Sequence, residues 1–235
     1  MFSLDLHSAY FFFSSCFLAV WVVVYFISPA TRMRQLRTSS LRMFGGPLVE
    51  ILYFQDYWNP ESILSFSLGP FRILLEDFMF GFAFSGVASV LYQIVFRRTM
   101  VEAGPVHAKR TFYRDVVGIL LVCGLLFFWG VNSIYVTAIG FCLATLSIVC
   151  RRPDLAIPSF LNGFLVFGFV FCAYLVGFYS VTNSEEVLRT WWFLYQDSAL
   201  GHRFLGLPIT ELVWAFAYGT LAGSLFAFRR DLRYA

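Results

Sequence analysis

Residues 73–96 read ILLEDFMFGFAFSGVASVLYQIVF, an apolar run that carries two adjacent acids, Glu76 and Asp77, near its start. An α-helix needs about 20 mostly apolar residues to cross the hydrocarbon core of a bilayer, and this run is long enough. A charged side chain inside a bilayer costs roughly 2.5–3.5 kcal/mol, so acids placed there are candidates for a function. The run therefore predicts a membrane-spanning helix with functional carboxyl groups at one end.

The composition of the whole chain indicates that this helix is one of several. Of the 235 residues, 59% are hydrophobic and 13% are charged, whereas soluble domains average about 45–50% and about 25%. The net charge of +3 comes from short basic clusters, so no basic face for nucleic acid is expected. The five cysteines and three histidines lack disulfide or metal-ligand spacing, so no metal is expected. We predict an all-α integral membrane protein that is surrounded by the lipid bilayer.

Other apolar runs give the number of spans. Five are comparable in length and a weaker one carries Glu50; they are 9–27, 116–134, 135–150, 157–181, 208–228 and, for the weaker run, 43–57. Basic residues accumulate in cytoplasmic loops, and most of the 17 Lys and Arg residues fall on one side if all seven runs cross. This pattern predicts seven transmembrane helices in the inner (cytoplasmic) membrane, with the N-terminus outside and the C-terminus cytoplasmic.

Two longer segments on the predicted outer side, 58–71 and 183–207, are aromatic and mildly polar. We expect each to be a loop or a helix that lies in the membrane interface. Trp and Tyr side chains concentrate at this interface. The residues expected in such an interfacial belt are Trp58, Trp191, Trp192 and Tyr195.

An internal repeat appears when the chain is compared with itself at an offset of 134 residues, because Asp77 then falls on Glu211. In both stretches small residues follow the acid at every fourth position, and such stripes let transmembrane helices approach closely. The stripes are Asp77, Gly81, Ser85 and Ser89 in one stretch, and Glu211, Ala215, Gly219 and Gly223 in the other.

The repeat predicts the domain organisation. We expect a first three-helix unit over 1–98, a connecting loop and helix over 99–134, and a second three-helix unit over 135–235, parallel to the first. Since both acids share a face with a small-residue stripe, we expect Asp77 and Glu211 to face a common cavity, with Glu76 beside it.

Two short motifs resemble those of a known family. Residues 74–78 (LLEDF) and 208–212 (PITEL) resemble the Pro-x-Glu-Glu/Asp motif of the membrane lycopene cyclases, which occur as two small bacterial subunits or as one fused chain. Residues 56–58 (DYW) are similar to a pattern in uncharacterised bacterial members. The sequence departs from the family at Leu74, where the motif has proline, and at Thr210, where it has its first acid. The resemblance covers roughly 50–98 and 190–230.

The resemblance implies a membrane isomerase of carotenoid biosynthesis. Such enzymes protonate the terminal double bond of lycopene, close a ring on the resulting cation and lose a proton, without net redox change. No organic cofactor is implied, and the sequence has no G-x-G-x-x-G motif for a dinucleotide. The implied proton-handling residues are Glu76, Asp77 and Glu211. Ring faces stabilise cations; the candidate substrate-binding residues are Glu50, Phe80, Phe84, Trp214, Tyr218 and Asn162.

Other interpretations of the same residues stay open. Asn162 is also suited to an interhelical hydrogen bond. The chain is alternatively a non-catalytic protein that binds a carotenoid or another isoprenoid, or a subunit of a carotenoid-modifying complex or homo-oligomer. A transporter or proton channel is less favoured, because no chain of polar residues continues inward from the acids. A retinal-binding receptor is excluded, because the single lysine, Lys109, lies in a predicted loop.

Overall fold

The computed structural model describes residues 5–104, 109–180, 183–193 and 202–235. The α-helices in these ranges are α1 Leu6–Ile27, α2 Arg32–Arg42, α3 Gly45–Asp56, α4 Leu75–Val95, α5 Lys109–Phe128, α6 Ser133–Arg151, α7 Ala156–Tyr179, α8 Ser184–Trp191 and α9 Ile209–Arg230. The strands are β1 Ser65–Leu68, β2 Phe71–Leu74, β3 Met100–Glu102, β4 Arg203–Phe204, β5 Leu207–Pro208 and β6 Leu232–Tyr234. They pair as antiparallel β1–β2, β3–β6 and β4–β5.

Within the described ranges, 6 helices are long and apolar enough to cross a membrane: α1, α4, α5, α6, α7 and α9. The prediction of a multi-pass helical membrane protein is thereby confirmed. The predicted boundary between the runs 116–134 and 135–150 is wrong by a few residues. The chain leaves α5 at Phe128, turns at Gly130 with a φ of +80°, and enters α6 at Ser133. Residue 181, the predicted end of the next run, lies outside the described residues.

The weaker seventh run, 43–57, forms the 12-residue helix α3. With a rise of about 1.5 Å per residue, a helix of this length extends about 18 Å, which is shorter than the ~30 Å hydrocarbon core. Helix α2 precedes it, and only Met43 and Phe44 separate the two helices. The seventh span and the orientation of the chain in the membrane therefore stay predictions.

The two predicted outer segments contain β-hairpins, which the sequence did not lead us to expect. Hairpin β1–β2 leads directly into α4, and hairpin β4–β5 leads directly into α9. Their turns use Gly69 and Gly206, which have φ values of +61° and +85° that a residue without a Cβ adopts readily. The second segment also contains α8, while its residues 194–201 lie outside the described part of the chain.

The same order of elements occurs twice along the chain. From α1 to α4, and again from α6 to α9, the order is a long helix, a 3-10 turn that begins with proline, two further helices, a hairpin and a final long helix. The turns begin at Pro29 and Pro153, an offset of 124 residues, whereas α4 and α9 begin at an offset of 134. In chain order, helix α5 lies between the stretch from α1 to α4 and the stretch from α6 to α9.

The chain divides into two compact units, each assembled from two stretches. The first unit is Met1–Val87 with Phe171–Ile209, and the second unit is Ala88–Val170 with Thr210–Ala235. One apolar cluster of the second unit consists of Phe112, Ile148, Leu155, Ala227 and Phe228. The predicted domain boundaries at 98 and 134 stay predictions.

Small residues bring helices together inside each unit, as the predicted stripes require. In the first unit, a Cβ on Gly81 would lie 3.1 Å from the carbonyl oxygen of Met43. In the second unit, a Cβ on Gly219 would lie 3.0 Å from the Cα of Gly163 in α7, and one on Gly223 would lie 2.8 Å from the Cβ of Asn162. The predicted close approach is confirmed at these three glycines.

Asn162 of α7 uses its side-chain amide to join three helices of the second unit. Its Nδ2 donates to the carbonyl oxygens of Ala88 (3.0 Å) and Gly219 (2.7 Å), and its Oδ1 accepts from the N–H of Tyr92 (3.0 Å). In a regular helix the groups of Ala88 and Tyr92 bond to each other, so the amide inserts into the hydrogen-bond ladder of α4. This is the predicted interhelical role.

Replacement of this amide is expected to destabilise the protein. Asn162→Ala removes three buried hydrogen bonds and is expected to cost about 2 kcal/mol, since each bond contributes roughly 1 kcal/mol or less in a membrane protein. The measurement is thermal unfolding of purified protein in detergent. Gln55→Ala is the control, because the exposed amide of Gln55 bonds only within its own helix, to Ile51. Equal midpoints for both variants would contradict the assigned role.

Candidate acid site

Asp77 is the third residue of α4 and is held there by two hydrogen bonds. The N–H of Leu74 donates to its Oδ2 (3.2 Å), a bond from an acid at this position back to the residue before the helix. The phenol of Tyr10 in α1 donates to its Oδ1 (2.9 Å). Only 1% of Asp77 is exposed. The sequence therefore places a carboxyl group at the start of a membrane-spanning helix, and the fold surrounds it.

Glu76 is fully buried and fastens a loop to the same end of α4. The hydroxyl of Ser62 donates to its Oε2 (2.6 Å), and the N–H of Ile63 donates to its Oε1 (3.0 Å). Both carboxyl oxygens thus hold the segment that precedes β1. Ser14 of α1 donates to the backbone carbonyl of Glu76 (3.4 Å). This geometry fits an anchoring role, and the predicted proton-handling role of Glu76 stays a prediction.

Aromatic rings cover Tyr10 on more than one side. Its ring centroid lies 5.1 Å from that of Trp58 and 6.1 Å from that of Trp191, both edge to face. Trp192 completes the group at 5.3 Å from Trp58. We call Tyr10, Trp58, Trp191 and Trp192 the tryptophan cluster. Backbone bonds from Asn59 to Trp191 (2.9 Å) and from Phe193 to Tyr57 (2.8 Å) hold its two segments side by side.

The expected interfacial belt is wrong for two of its four members. Trp191 and Trp192 are buried in the tryptophan cluster, because each meets other rings of the protein where a belt residue would meet lipid headgroups. Tyr195 lies outside the described residues. Trp58 has a second contact, since its Nε1 donates to Oε2 of Glu50 (2.5 Å). The predicted substrate-binding residue Glu50 is thereby joined to the cluster.

Three rings form the first aromatic triad, which continues along α4 from the acid. Phe17 of α1 lies edge-on to Phe80 (5.1 Å) and Phe84 (6.2 Å), and the rings of Phe80 and Phe84 stack at 5.2 Å. The spacing 77, 80, 84 keeps these side chains near one face of the helix. Two predicted substrate-binding residues are thus brought together in the first unit.

The second unit contains a matching group, the second aromatic triad. Phe141 of α6 lies edge-on to Trp214 (6.1 Å) and Tyr218 (5.3 Å), and those two rings stack at 5.6 Å. Phe17 and Phe141 are separated by 124 residues, the offset of the two proline turns. The partners in α4 and α9 are separated by 134 residues. The same contacts therefore recur at both offsets.

Glu211 is buried and is the third residue of α9, the position that Asp77 has in α4. At an offset of 124 residues, Tyr10 corresponds to Ile134, a buried side chain in α6 that has no hydroxyl. The residue that lies 124 positions after Tyr10 therefore offers no hydroxyl group.

Part of the chain is similar to a described protein family. Residues 132–229, which contain α6 to α9, match the family model described as lycopene cyclase. Over this segment the chain is similar to the lycopene cyclases. No curated protein and no solved structure matches the chain. The match includes the predicted motif at 208–212 but not the one at 74–78.

The matched segment, 132–229, contains four of the predicted site residues: Asn162, Glu211, Trp214 and Tyr218. The first unit contains Glu50, Glu76, Asp77, Phe80 and Phe84. That Asp77 and Glu211 face a common cavity stays a prediction. Among the described residues no cluster of His, Cys, Asp and Glu has the arrangement of a metal site.

Sequence reasoning missed Tyr10 and Ser62, whose hydroxyl groups donate to Asp77 and Glu76. Tyr10 opens an aromatic run in α1 and carries no mark of its own in the sequence. A comparison of the chain with itself at an offset of 124 would have marked Tyr10, because the residue aligned with it is Ile134. Ser62 lies in a loop that no pattern connected with α4.

Proposed function

We propose that the protein is a lycopene-cyclase-like isomerase that closes the end group of a linear carotenoid after protonation. The observation that supports this most directly is Asp77. It is a buried acid at the start of a membrane-spanning helix, hydrogen-bonded by Tyr10 and followed by a triad of aromatic rings. The family match of the second half supplies the substrate class.

The proposed chemistry moves one proton in and one proton out. A carboxylic acid transfers its proton to the terminal double bond of the polyene, which leaves a tertiary carbocation and a carboxylate. The electrons of a nearby double bond of the same end group then form the ring bond, and the cation moves to a ring carbon. Loss of a proton from an adjacent carbon to a carboxylate restores a double bond and the acid. The product is an isomer of the substrate, and no electron acceptor is needed.

The residues proposed for these steps are the acids of both halves. Asp77 donates the proton, and Glu76 and Glu211 are the further proton-handling carboxyl groups. Cations lie favourably over aromatic faces, so Phe80, Phe84, Trp214 and Tyr218 are proposed to contact the polyene. The recurrence of the aromatic triad at fixed offsets supports the proposed parallel repeat, with α5 as the connecting helix.

Expression in a bacterium that accumulates lycopene tests the function. The expected result is conversion of lycopene into products with one or two rings, which pigment chromatography separates from the acyclic substrate and mass spectrometry identifies as isomers of it. Because the reaction is an isomerisation, the products have the mass of lycopene and differ in absorption. Cells with the empty vector are the control. Unchanged lycopene, with the protein present in the membrane, would contradict the proposal.

A non-catalytic carotenoid- or isoprenoid-binding protein is the other candidate, and the departures at Leu74 and Thr210 from the family motif favour it. The same expression experiment separates the two candidates. Pigment that copurifies unchanged with the protein indicates binding, and cyclised pigment indicates catalysis.

A further inference from the structure

A buried hydrogen bond joins the phenol of Tyr10 in α1 to the carboxyl group of Asp77 in α4. Tyr10 is 3% exposed, and its hydroxyl donates to Oδ1 of Asp77 across 2.9 Å. We propose that Tyr10 is the positioning residue of the proton-donating acid. This inference rests on the proposed cyclase function.

The tryptophan cluster fixes the phenol where the acid needs it. Trp58 and Trp191 contact the ring of Tyr10 edge to face, at interplanar angles of 79° and 70°. Trp191 is itself 1% exposed, so neither ring can move without displacing its neighbours. A hydroxyl held in this way requires no reorganisation when charge develops on the acid, which is the condition for effective electrostatic stabilisation.

The contribution of this bond changes during the reaction. Hydrogen bonds to an ionised carboxylate are roughly twice as strong as those to a neutral acid. The phenol therefore stabilises Asp77 more after the proton has left than before. An interaction that strengthens toward the transition state raises kcat, whereas one of constant strength only changes KM. Tyr10 is thus expected to accelerate proton transfer without contacting the polyene.

The test compares Tyr10→Phe with Tyr25→Phe, the same chemical change at the other end of α1. In membranes or liposomes supplied with lycopene, Tyr10→Phe is expected to lower kcat about tenfold, with KM unchanged. Tyr25→Phe keeps the ring that stacks on Trp21 and is expected to keep wild-type kcat. Rates are normalised to folded protein, measured as the monodisperse fraction in detergent.

A second variant separates the hydrogen bond from the packing of the ring. 3-Fluorotyrosine at position 10 retains a hydroxyl that is a stronger donor, and it is expected to keep wild-type kcat or exceed it. A tenfold loss with 3-fluorotyrosine would overturn the inference in favour of ring packing. Wild-type kcat in Tyr10→Phe, with Asp77→Asn inactive, would overturn it while leaving the proposed function intact. No cyclisation by the wild type would overturn both.

Discussion

Asp77→Asn is expected to abolish ring formation, with activity at least about 100-fold below the wild type, the usual range for the loss of a general acid. The amide keeps the size of the side chain. Its oxygen can accept from the N–H of Leu74 and its NH2 group can donate to the hydroxyl oxygen of Tyr10, but it has no acidic proton to transfer. Membrane insertion and thermal stability are expected to stay near the wild type, because the hydrogen bonds have amide equivalents. Ring formation in lycopene-accumulating cells, scored per amount of membrane protein, is the measurement.

Glu61→Gln is the matched control for this substitution. Glu61 is a partly exposed carboxylate of the same unit that pairs with His7 at 3.0 Å, and its loss is expected to leave ring formation unchanged. Glu211→Gln, the equivalent change in the second half, is expected to abolish ring formation as well. Full cyclisation by both Asp77→Asn and Glu211→Gln would show that the two acids serve packing alone.

Gly46→Ala is expected to lower both stability and activity, whereas Gly45→Ala changes neither. A Cβ on Gly46 would overlap the backbone carbonyl oxygen of Asp77, and it would lie 3.6 Å from the Cα of Gly81. Backbone atoms of α4 cannot rotate away as a side chain can, so α3 must shift. Overpacking of this kind typically costs 1–3 kcal/mol, and the shift also displaces Asp77 relative to Tyr10.

The neighbouring glycine provides the control, since a Cβ on Gly45 has nothing within 4 Å. Both substitutions raise helix propensity equally, so any difference between them reports the contact with α4. The measurements are the thermal midpoint in detergent and the rate of ring formation. A Gly46→Ala protein with the midpoint and rate of Gly45→Ala would contradict the packing of α3 on α4.

The sequence was sufficient to predict the long helices, because lipid imposes a length and a composition that stand out in a single chain. The runs around Asp77 and Glu211 became α4 and α9, each with its acid in the first turn. The boundary between α5 and α6 was misplaced because the turn at Gly130 lies between apolar residues and breaks no hydrophobic pattern. The hairpins were missed since strands of two to four residues are too short to show alternation.

Of the candidate site, only the acidic residues were predictable from the sequence. Acids in an apolar run are conspicuous, so Glu50, Glu76 and Asp77 were found. The groups that hold them were not, because Tyr10, Ser62 and Trp58 come from separate parts of the chain and belong to residue types that are common at such positions. The predicted repeat at an offset of 134 relates α4 to α9, whereas the two proline turns and the pair Phe17 and Phe141 are separated by 124 residues. A search at the single offset of 134 therefore did not pair Phe17 with Phe141 or Tyr10 with Ile134.

The two hairpins fix the position of each acid along the axis of its helix. Each hairpin ends at the residue before a helix. Hydrogen bonds between its two strands fix which residue is the last of the second strand, whereas an open loop has no such fixed end. The third residue of the helix then lies about 4.5 Å beyond the last strand residue. Lengthening a hairpin turn leaves the carboxyl group at this level. One residue added between strand and helix moves the carboxyl group by about 1.5 Å along the helix axis and rotates it by about 100° around that axis.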